Sequence, residues 1–320
     1  MERPTVEGDS PDVSRTPTGL WSLDRALSFQ GDGGMPLRSI YELYGRPGYG
    51  KSSLAYYLVG RVKPTGKVVV ADLEANLDKT FLGNAVGQSG FHGIIQTIDY
   101  SEIKDKKKHP RPHENMCQEA VDMLLEDSVN GAVIDSIGAF TPIMEREGDI
   151  EEAFMGQRAK RIANLVRRAV AWLRVTDDPK LLIFVNHVHD LIGGPVKGHS
   201  TPGGNTLKYL ANNRLWVLNG EHFDDGSFLA EVRVEKLKYG GTAPWRTSTF
   251  YVIPGLGVSP EMSAVFDCFE VGKAERPKGG RIKMGDKNFG YLKDLVEAAK
   301  EPEHNKARFK PFFDVLSETP

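Results

Sequence analysis

The chain has 320 residues, 40% of them hydrophobic and 26% charged, which is typical of a soluble globular protein of about two domains. Its formal net charge of −2 excludes recognition of a polyanion by overall charge, so any nucleic acid would require a local basic patch. The two distant cysteines, the lack of an apolar signal region and the lack of a long apolar run favour a reducing compartment, the cytoplasm, with no membrane span.

The chain divides into three predicted parts. Residues 1–16 are polar and contain two prolines, which predicts a flexible N-terminal arm. Residues 17–258 carry the regular alternation of a folded core. Residues 259–320 are predicted to form a small C-terminal unit, with helices near 288–300 and 307–317.

Short apolar strands alternate with helices from Ser39 onward. The predicted strands are 40–44, 67–72, 94–99, 131–135 and 181–186. The predicted helices are 51–62, 78–86, 115–126 and 152–175. This alternation predicts an α/β fold with a mostly parallel, twisted sheet covered on both faces.

The pattern changes after Asn213. Three strand-like segments, 214–219, 228–238 and 247–253, are separated by turn residues. We interpret them as antiparallel strands that extend the same sheet.

The segment from Gly45 to Ser52 fits the phosphate-binding pattern G-x-x-x-x-G-K-[ST], between a predicted strand and a predicted helix. Its glycines allow backbone N–H groups to turn toward phosphates, and the helix N-terminus favours negative charge. Lys51 is predicted to reach the β- and γ-phosphates, and the Ser52 hydroxyl is predicted to bind Mg²⁺. The predicted nucleotide-binding residues are Gly45, Arg46, Pro47, Gly48, Tyr49, Gly50, Lys51, Ser52 and Ser53.

Two buried strands end in acids at the edge of the sheet where ligands bind. Asp72 and Glu74 follow one strand, and Glu74 is our candidate for the base that activates the attacking water. Asp135 ends the next strand and fits a Walker-B role, holding Mg²⁺. The alternative for each acid is a solvated carboxylate at the end of a strand.

A third such strand ends in Asn186 and His187. A polar group there is placed to contact the γ-phosphate and to report its presence to the following loop. The alternative for His187 is a loop histidine with its hydrogen bonds satisfied locally.

Two loops and a basic helix suggest a nucleic-acid groove. The glycine-rich loop 188–205 follows His187, the loop 144–151 follows Asp135, and a helix rich in arginine comes next. The predicted DNA-binding residues are Arg146, Arg158, Arg161, Arg167, Lys197, His199, Gly203, Gly204 and Asn205. A basic helix face that is simply solvated is the alternative.

From about Thr16 to Val258 the chain resembles the RecA-type recombinases, especially the phage UvsX-like branch. The matching segments begin with Thr18-Gly-Leu-Trp-Ser-Leu-Asp24 and the phosphate loop. They continue with Ala71-Asp-Leu-Glu-Ala-Asn-Leu-Asp78, Ile134-Asp-Ser-Ile-Gly-Ala-Phe-Thr-Pro142, Met155-Gly-Gln-Arg158, Ile183-Phe-Val-Asn-His187 and Gly203-Gly-Asn-Thr-Leu-Lys208.

The resemblance implies a RecA-like P-loop NTPase core and a role for each matching residue. Glu74 falls at the position of the catalytic base, while Asp78 and Phe81 fall where the family contacts and stacks on adenine. His187 falls at the γ-phosphate sensor, where RecA has glutamine and UvsX-like proteins have histidine. The two loops correspond to the family's DNA-binding loops.

Lys236 and Lys238 match two lysines that, in bacterial RecA, reach a neighbour's ATP across the filament interface. A cation near the γ-phosphate accelerates transfer, so the resemblance gives both lysines a catalytic role in trans. A solvated face is the alternative, since residues two apart on a strand point the same way.

Together these features predict a DNA-dependent ATPase that uses ATP and Mg²⁺. The resemblance implies that the protein binds single-stranded DNA as a nucleoprotein filament and promotes homologous pairing and strand exchange with double-stranded DNA. Expected partners are further copies of the chain in a helical filament or a ring, together with single-strand-binding and mediator proteins of a bacterial or phage-infected cell. The alternatives are an accessory ATPase or recombinase paralogue, a hexameric helicase motor, and an ATP-gated DNA-binding module with negligible turnover.

Overall fold

The computed structural model describes residues 14–28, 33–104, 107–143, 156–190, 199–202, 204–239, 246–276 and 280–319. Within these residues, nine strands form one central sheet. In chain order its strands are β1 (Ser39–Gly45), β2 (Lys67–Asp72), β3 (Ile94–Thr97), β4 (Val129–Asp135), β5 (Leu181–His187), β6 (Asn213–His222), β7 (Phe228–Leu237), β8 (Arg246–Ile253) and β9 (Gly257–Ser259).

Helices and short ladders surround this sheet. The described helices are α1 (Trp21–Ala26), α2 (Lys51–Gly60), α3 (Lys79–Gly87), α4 (His113–Asp122), α5 (Gln157–Val175), α6 (Gly204–Leu210), α7 (Pro260–Glu270), α8 (Leu292–Ala299) and α9 (Pro302–Ser317). Single 3₁₀ turns span Met123–Leu125 and Ile137–Ala139. Two-stranded ladders pair Arg15–Thr16 with Met35–Pro36, Ser101–Lys104 with Lys107–Pro110, His189–Asp190 with His199–Ser200, and Ile282–Met284 with Lys287–Gly290.

The spatial order of the sheet is β9-β8-β7-β6-β1-β5-β4-β2-β3. The strands from β6 to β3 in this order are parallel, and β7, β8 and β9 continue the sheet in antiparallel fashion. The predicted α/β class, with a mostly parallel sheet and an antiparallel extension, is confirmed. One detail was wrong: the segment predicted as the first antiparallel strand, β6, runs parallel to β1 and antiparallel to β7.

Alternating side chains of the parallel strands pack into two hydrophobic cores, one on each face of the sheet. Val68 and Val70 of β2 join the core beneath α2 and α3, whereas Val69 and Ala71 join the core beneath α4 and α5. Period-two alternation explains the division, because neighbouring residues on a strand point to opposite faces. Both faces are covered, which holds the carboxyl ends of these strands rigidly at one edge.

A third cluster joins β8 to the C-terminal helices. Tyr251 of β8 packs with Phe266 of α7, and the cluster includes Leu295 of α8 and Phe312 of α9. The boundary near residue 259, and the three-part division of the chain, stay predictions.

Several elements differ from the sequence-based expectation. Helix α7 was not predicted, although Ser259 accepts a hydrogen bond from Met262 N as its N-cap and Pro260 opens its first turn. The predicted helix 288–300 begins instead as the strand Lys287–Gly290, and α8 starts only at Leu292. The hairpin spanning 101–110 was also missed.

In the described part of the chain, no helix combines the length and apolar character needed to cross a bilayer.

Candidate functional site

The phosphate-binding loop joins β1 to α2 at the carboxyl edge of the sheet. Every residue of β1 is buried, and residues 46–48 are exposed between it and the helix. Gly45 lies against β6, so that a Cβ there would approach the Val217 carbonyl oxygen to 2.2 Å. Gly50 adopts φ +84° directly before α2, a conformation that favours glycine. The motif's glycines are therefore fixed by backbone geometry.

Lys51 opens α2 and points back across the loop. Its Nζ donates to the Arg46 carbonyl oxygen at 2.7 Å, and the residue is 5% exposed. Burial lowers the pKa of Lys51, although the nearby Asp135 and Glu74 carboxylates raise it. The structure thus holds a cation inside the curve of the loop, where the predicted phosphates would lie. Ser53, on the next turn of the same helix, is buried.

Asp135 lies beneath the start of α2. The Tyr56 hydroxyl donates to its Oδ2 at 2.8 Å, and the Ser52 hydroxyl also hydrogen-bonds to it. Burial raises the pKa of Asp135, the hydrogen bonds from Ser52 and Tyr56 lower it, and the net shift is upward. A hydroxyl and a carboxylate in contact are oxygen ligands of the kind that Mg²⁺ takes when phosphates supply further ligands.

The predicted Mg²⁺ site depends on that arrangement. Among the described residues, no group of three or more His, Cys, Asp or Glu side chains is placed to hold a metal by itself. Ser52 and Asp135 therefore fit a metal that is bound mainly through a nucleotide, and do not form an all-protein cage.

Glu74, the predicted base, lies in a hydrogen-bonded group with two other side chains. Its Oε1 accepts from the Ser136 hydroxyl and lies 2.9 Å from His187 Nε2. Burial raises the pKa of Glu74, but the hydrogen bonds from Ser136 and His187, with the charge of Lys51, bring it below its usual value. Glu74 is therefore a carboxylate at neutral pH, as a base must be.

The contact between Glu74 and His187 was not predicted. The sequence placed both residues at strand ends, but they lie 113 positions apart and no local pattern links them. Gly138 lies against the imidazole, since a Cβ there would reach its Cδ2 at 2.6 Å. His187 Nδ1 is buried and has no hydrogen-bond partner within the described residues, so Nε2 is the ring nitrogen that contacts Glu74.

Asp72 shapes the segment that carries Glu74. It pairs in register with Asp135 across β2 and β4. Its carboxylate accepts from the backbone N–H of Glu74 at 3.0 Å and of Leu77 at 2.8 Å. Asp72 thus positions the turn and leaves Glu74 as the acid nearest to Ser136 and His187.

The predicted adenine contacts lie at the other end of this turn. Asp78 caps α3, because its Oδ1 accepts from Phe81 N at 2.8 Å. The Phe81 ring packs edge-on against Tyr56, with ring centroids 6.3 Å apart. A cleft of about 220 Å³ runs between these groups and the acids, and it is lined by Ser52, Tyr56, Asp72, Glu74, Asn76, Leu77, Asp78, Phe81 and Asp135. That adenine occupies it stays a prediction.

A buried ion network that sequence reasoning missed lies beside the site. Arg214 Nε donates to Glu42 Oε2 at 2.6 Å, and its guanidinium also pairs with Glu235. Asn186 Nδ2 donates to Glu42 Oε1 at 2.8 Å and to the Pro202 carbonyl oxygen at 2.9 Å. An acid in the middle of an apolar strand was the available signal, because a buried carboxylate needs a partner.

The predicted DNA-binding residues are only partly described. Arg146, Lys197 and Gly203 lie outside the described residues. His199 belongs to the short ladder with His189–Asp190, and Gly204 and Asn205 begin α6 as expected. The segment predicted as loop 188–205 therefore contains a short two-stranded ladder.

Two of the predicted arginines of α5 contact α4 and the turn after β4. Arg158 donates to the Gly138 carbonyl oxygen, and Arg161 lies 3.6 Å from Glu114 of α4. Arg167 is exposed and contacts Asn164 of the same helix. Intramolecular partners therefore hold Arg158 and Arg161, and DNA contact by these arginines stays a prediction.

Lys236 and Lys238 do not lie at the carboxyl end of β1, where the phosphate loop begins. Lys236 pairs with Arg214, the partner of Glu42 in the middle of β1, and is therefore about 10 Å short of Gly45 along the strand. Lys236 Nζ donates to the Tyr209 carbonyl oxygen at 2.7 Å, at the C-terminal end of α6. Lys238 follows β7 and is exposed. Neither lysine is placed to serve the phosphate loop of its own chain.

Comparison with known proteins gives one consistent result. The family model described as the RecA N-terminal domain matches residues 5–259. Protein RecA of Francisella tularensis subsp. novicida (strain U112) is 30% identical over 304 residues, which cover 91% of this chain and 79% of that protein. The same identity and coverage hold for Protein RecA of the subspecies tularensis (strain WY96-3418) and holarctica (strain FTNF002-00 / FTA).

Proposed function

This chain belongs to the RecA family of recombinases, and we propose that it is a DNA-dependent ATPase that uses ATP and Mg²⁺. In this proposal it binds single-stranded DNA as a helical filament and promotes homologous pairing and strand exchange with double-stranded DNA. The observation that carries the proposal is the hydrogen-bonded group of Glu74, Ser136 and His187 beside Lys51. It combines a base, a phosphate-contacting cation and a sensor at one edge of the sheet.

Each side chain has a defined task in ATP hydrolysis. Lys51 neutralises charge on the phosphates. The Ser52 hydroxyl and the Asp135 carboxylate would hold the Mg²⁺ ion that accompanies the nucleotide. Bound Mg²⁺ stabilises charge that develops on the phosphate oxygens. Glu74, ionised at neutral pH, orients the attacking water and accepts its proton.

The link to DNA follows from the position of His187. It ends β5, and loop 188–205 begins at the next residue. A γ-phosphate that attracts His187 competes with the Glu74 contact, which gives the strand end two arrangements. Asn186, through Pro202, ties the same strand end to the far side of the loop. The presence or absence of the γ-phosphate thereby controls the affinity of loop 188–205 for single-stranded DNA.

The site is completed by a second copy of the chain in this proposal. Lys236 and Lys238 serve a neighbour's ATP, which makes hydrolysis depend on assembly. The exposed Tyr209, 70% accessible, lies beside the Lys236 contact on the same surface. An exposed aromatic ring next to cations is typical of an interface, which supports a subunit contact there.

The remaining assignments extend the same proposal. Residues 17–258 act as the ATPase core and 259–320 as a small C-terminal domain, whereas the predicted arm, residues 1–16, lies mostly outside the described residues. Histidine at the sensor position, His187, supports placement in the UvsX-like branch. Single-strand-binding and mediator proteins are the partners that a filament on exposed DNA would require.

The substitution Glu74→Gln tests the proposal, because glutamine keeps the hydrogen-bond acceptor and removes the base. ATP-dependent binding of single-stranded DNA should persist, while DNA-stimulated hydrolysis should slow by about 10²–10⁴-fold. Glu303→Gln, an exposed change on α9, is the matched control and should leave turnover unchanged. Wild-type turnover in Glu74→Gln, or no stimulation of the wild type by DNA, would contradict the proposal.

A further inference from the structure

A basic hairpin follows the edge strand β3 and is separate from the loops considered above. It pairs Ser101–Lys104 with Lys107–Pro110. We propose that this basic hairpin binds the phosphate backbone of single-stranded DNA whether or not nucleotide is bound. It would be a second nucleic-acid contact, outside loops 144–151 and 188–205.

The charge of the segment supports this assignment. Residues 100–111 contain five cations and two acids. The cations are Lys104, Lys106, Lys107, Lys108 and Arg111, and the acids are Glu102 and Asp105. In a chain whose net charge is −2, a local basic patch is the form that polyanion binding must take.

The ladder register places an aromatic ring among these charges. Glu102 pairs with His109, Lys104 pairs with Lys107, and Arg111 N donates to the Tyr100 carbonyl oxygen at 2.7 Å to extend the ladder. Since alternate residues share a face, Tyr100, Lys107 and His109 lie on one face. The Tyr100 side chain is 60% exposed, and Lys107 and His109 are exposed.

The base of the hairpin is anchored to the core. Arg111 pairs with Glu119 of α4, and Ile98 N donates to the Val70 carbonyl oxygen at 2.8 Å just before the hairpin. Glu102 is the described acid of the basic face, and it is only partly exposed. Lys107 and Tyr100 are thus presented to solvent on one face of a fixed support, and Lys108, which pairs with Ile103, is exposed on the other face.

The combination favours a single-stranded nucleic acid over an acidic protein. Lysines follow a phosphate backbone without sequence preference, and an exposed aromatic ring stacks on an unpaired base. The anchoring contact runs to α4, whereas the nucleotide switch runs through Glu74 and His187. Binding by the hairpin should therefore be present without ATP.

The test uses the full chain carrying Lys51→Ala, so that the ATP-gated contact is silent. Binding of a fluorescent oligothymidylate is measured by anisotropy over a salt series without nucleotide. Adding Lys107→Ala should weaken binding about threefold or more at low salt and reduce the slope of log K against log salt by about 0.7. Tyr100→Ala should weaken binding about fivefold or more with an unchanged slope.

The matched control is Lys306→Ala with Lys310→Ala, two exposed lysines of α9, which should change neither quantity. Thermal melting confirms that each variant is folded. Equal losses in the control, or unchanged affinity and slope in the folded hairpin variant, would overturn the inference. Loss of self-association with unchanged DNA affinity would also overturn it, by assigning the hairpin to a protein contact.

Failure of this inference can be told apart from failure of the proposed function. If the hairpin does not bind DNA, wild-type protein still gains affinity when ATP is added. If the ATP-gated function is wrong, that gain is absent while hairpin-dependent binding remains.

Discussion

Two regions of the central sheet, the carboxyl ends of the parallel strands and the antiparallel strand β7, differ in the polar residues that they bring together. At the carboxyl ends of β1, β2, β4 and β5, residues distant in sequence converge, so that Lys51, Asp135, Glu74 and His187 lie in one site. On the antiparallel side, β7 places Lys236 level with the middle of β1 and away from its own phosphate loop. Strand order and direction therefore decide which polar residues can share a site within one chain.

Removing the cation of the carboxyl edge should have the largest effect. Lys51→Ala removes the charge inside the phosphate loop, and ATP hydrolysis should fall below detection in a phosphate-release assay. Lys300→Ala, an exposed change, should behave as wild type. Normal turnover in Lys51→Ala would mean that the phosphates do not bind at this loop.

Mixing two inactive variants tests whether Lys236 acts at the ATP site of a second copy of the chain. Lys236→Ala should lose DNA-stimulated hydrolysis, yet a mixture with Lys51→Ala should regain part of it. A Lys51→Ala subunit can still offer Lys236 to the intact phosphate loop of its neighbour. Turnover of the mixture that equals the sum of the separate variants would argue for a site made by one chain.

The buried ion network of Glu42, Arg214 and Glu235, which links β1, β6 and β7, should contribute strongly to the stability of the fold. Glu42→Ala leaves Arg214 buried without its closest carboxylate, and removing one partner of a buried pair costs about 3–5 kcal/mol. Urea denaturation followed by circular dichroism measures the loss. A change near zero would show that the network of Glu42, Arg214 and Glu235 adds little to the fold.

Asp267, a buried acid that pairs with no cation in the described part of the chain, gives the smallest and most pH-dependent effect. Asp267 of α7 is 1% exposed and accepts from Ser22 N, and burial raises its pKa from 3.8 to about 7. The folded chain keeps this proton where the unfolded chain has lost it, so the stability contributed by Asp267 falls as pH rises from about 4 to about 7.

Asp267→Asn should therefore stabilise the protein by roughly 2–4 kcal/mol at mildly alkaline pH and by much less near pH 4, judged by thermal melting. The exposed change Asp314→Asn is the control. An Asp267→Asn benefit that does not depend on pH would show that the carboxyl does not titrate in this range.

Local sequence patterns were enough to predict much of the parallel part of the central sheet. The spacing from Gly45 to Ser52 and the acids that end β2 and β4 are features of neighbouring residues, and the structure places them as expected. Helix α7 also had local signals, Ser259 and Pro260, which were overlooked.

Contacts between residues distant in sequence could not be predicted from these local patterns. Arg214 and Glu42 are 172 positions apart, and the partner of a buried acid is set by strand order, which alternation alone does not give. The contact of Glu74 with His187 needed the same information. Sequence identified the chemical groups at the carboxyl edge, but the fold determined which of them touch.

The most direct test of the central claim is equilibrium binding of single-stranded DNA with Mg²⁺ and either a slowly hydrolysed ATP analogue or ADP. If the γ-phosphate acts through His187 on loop 188–205, the analogue should tighten binding about tenfold or more relative to ADP. Equal affinity in the two states, in protein shown to bind both nucleotides, would contradict the account.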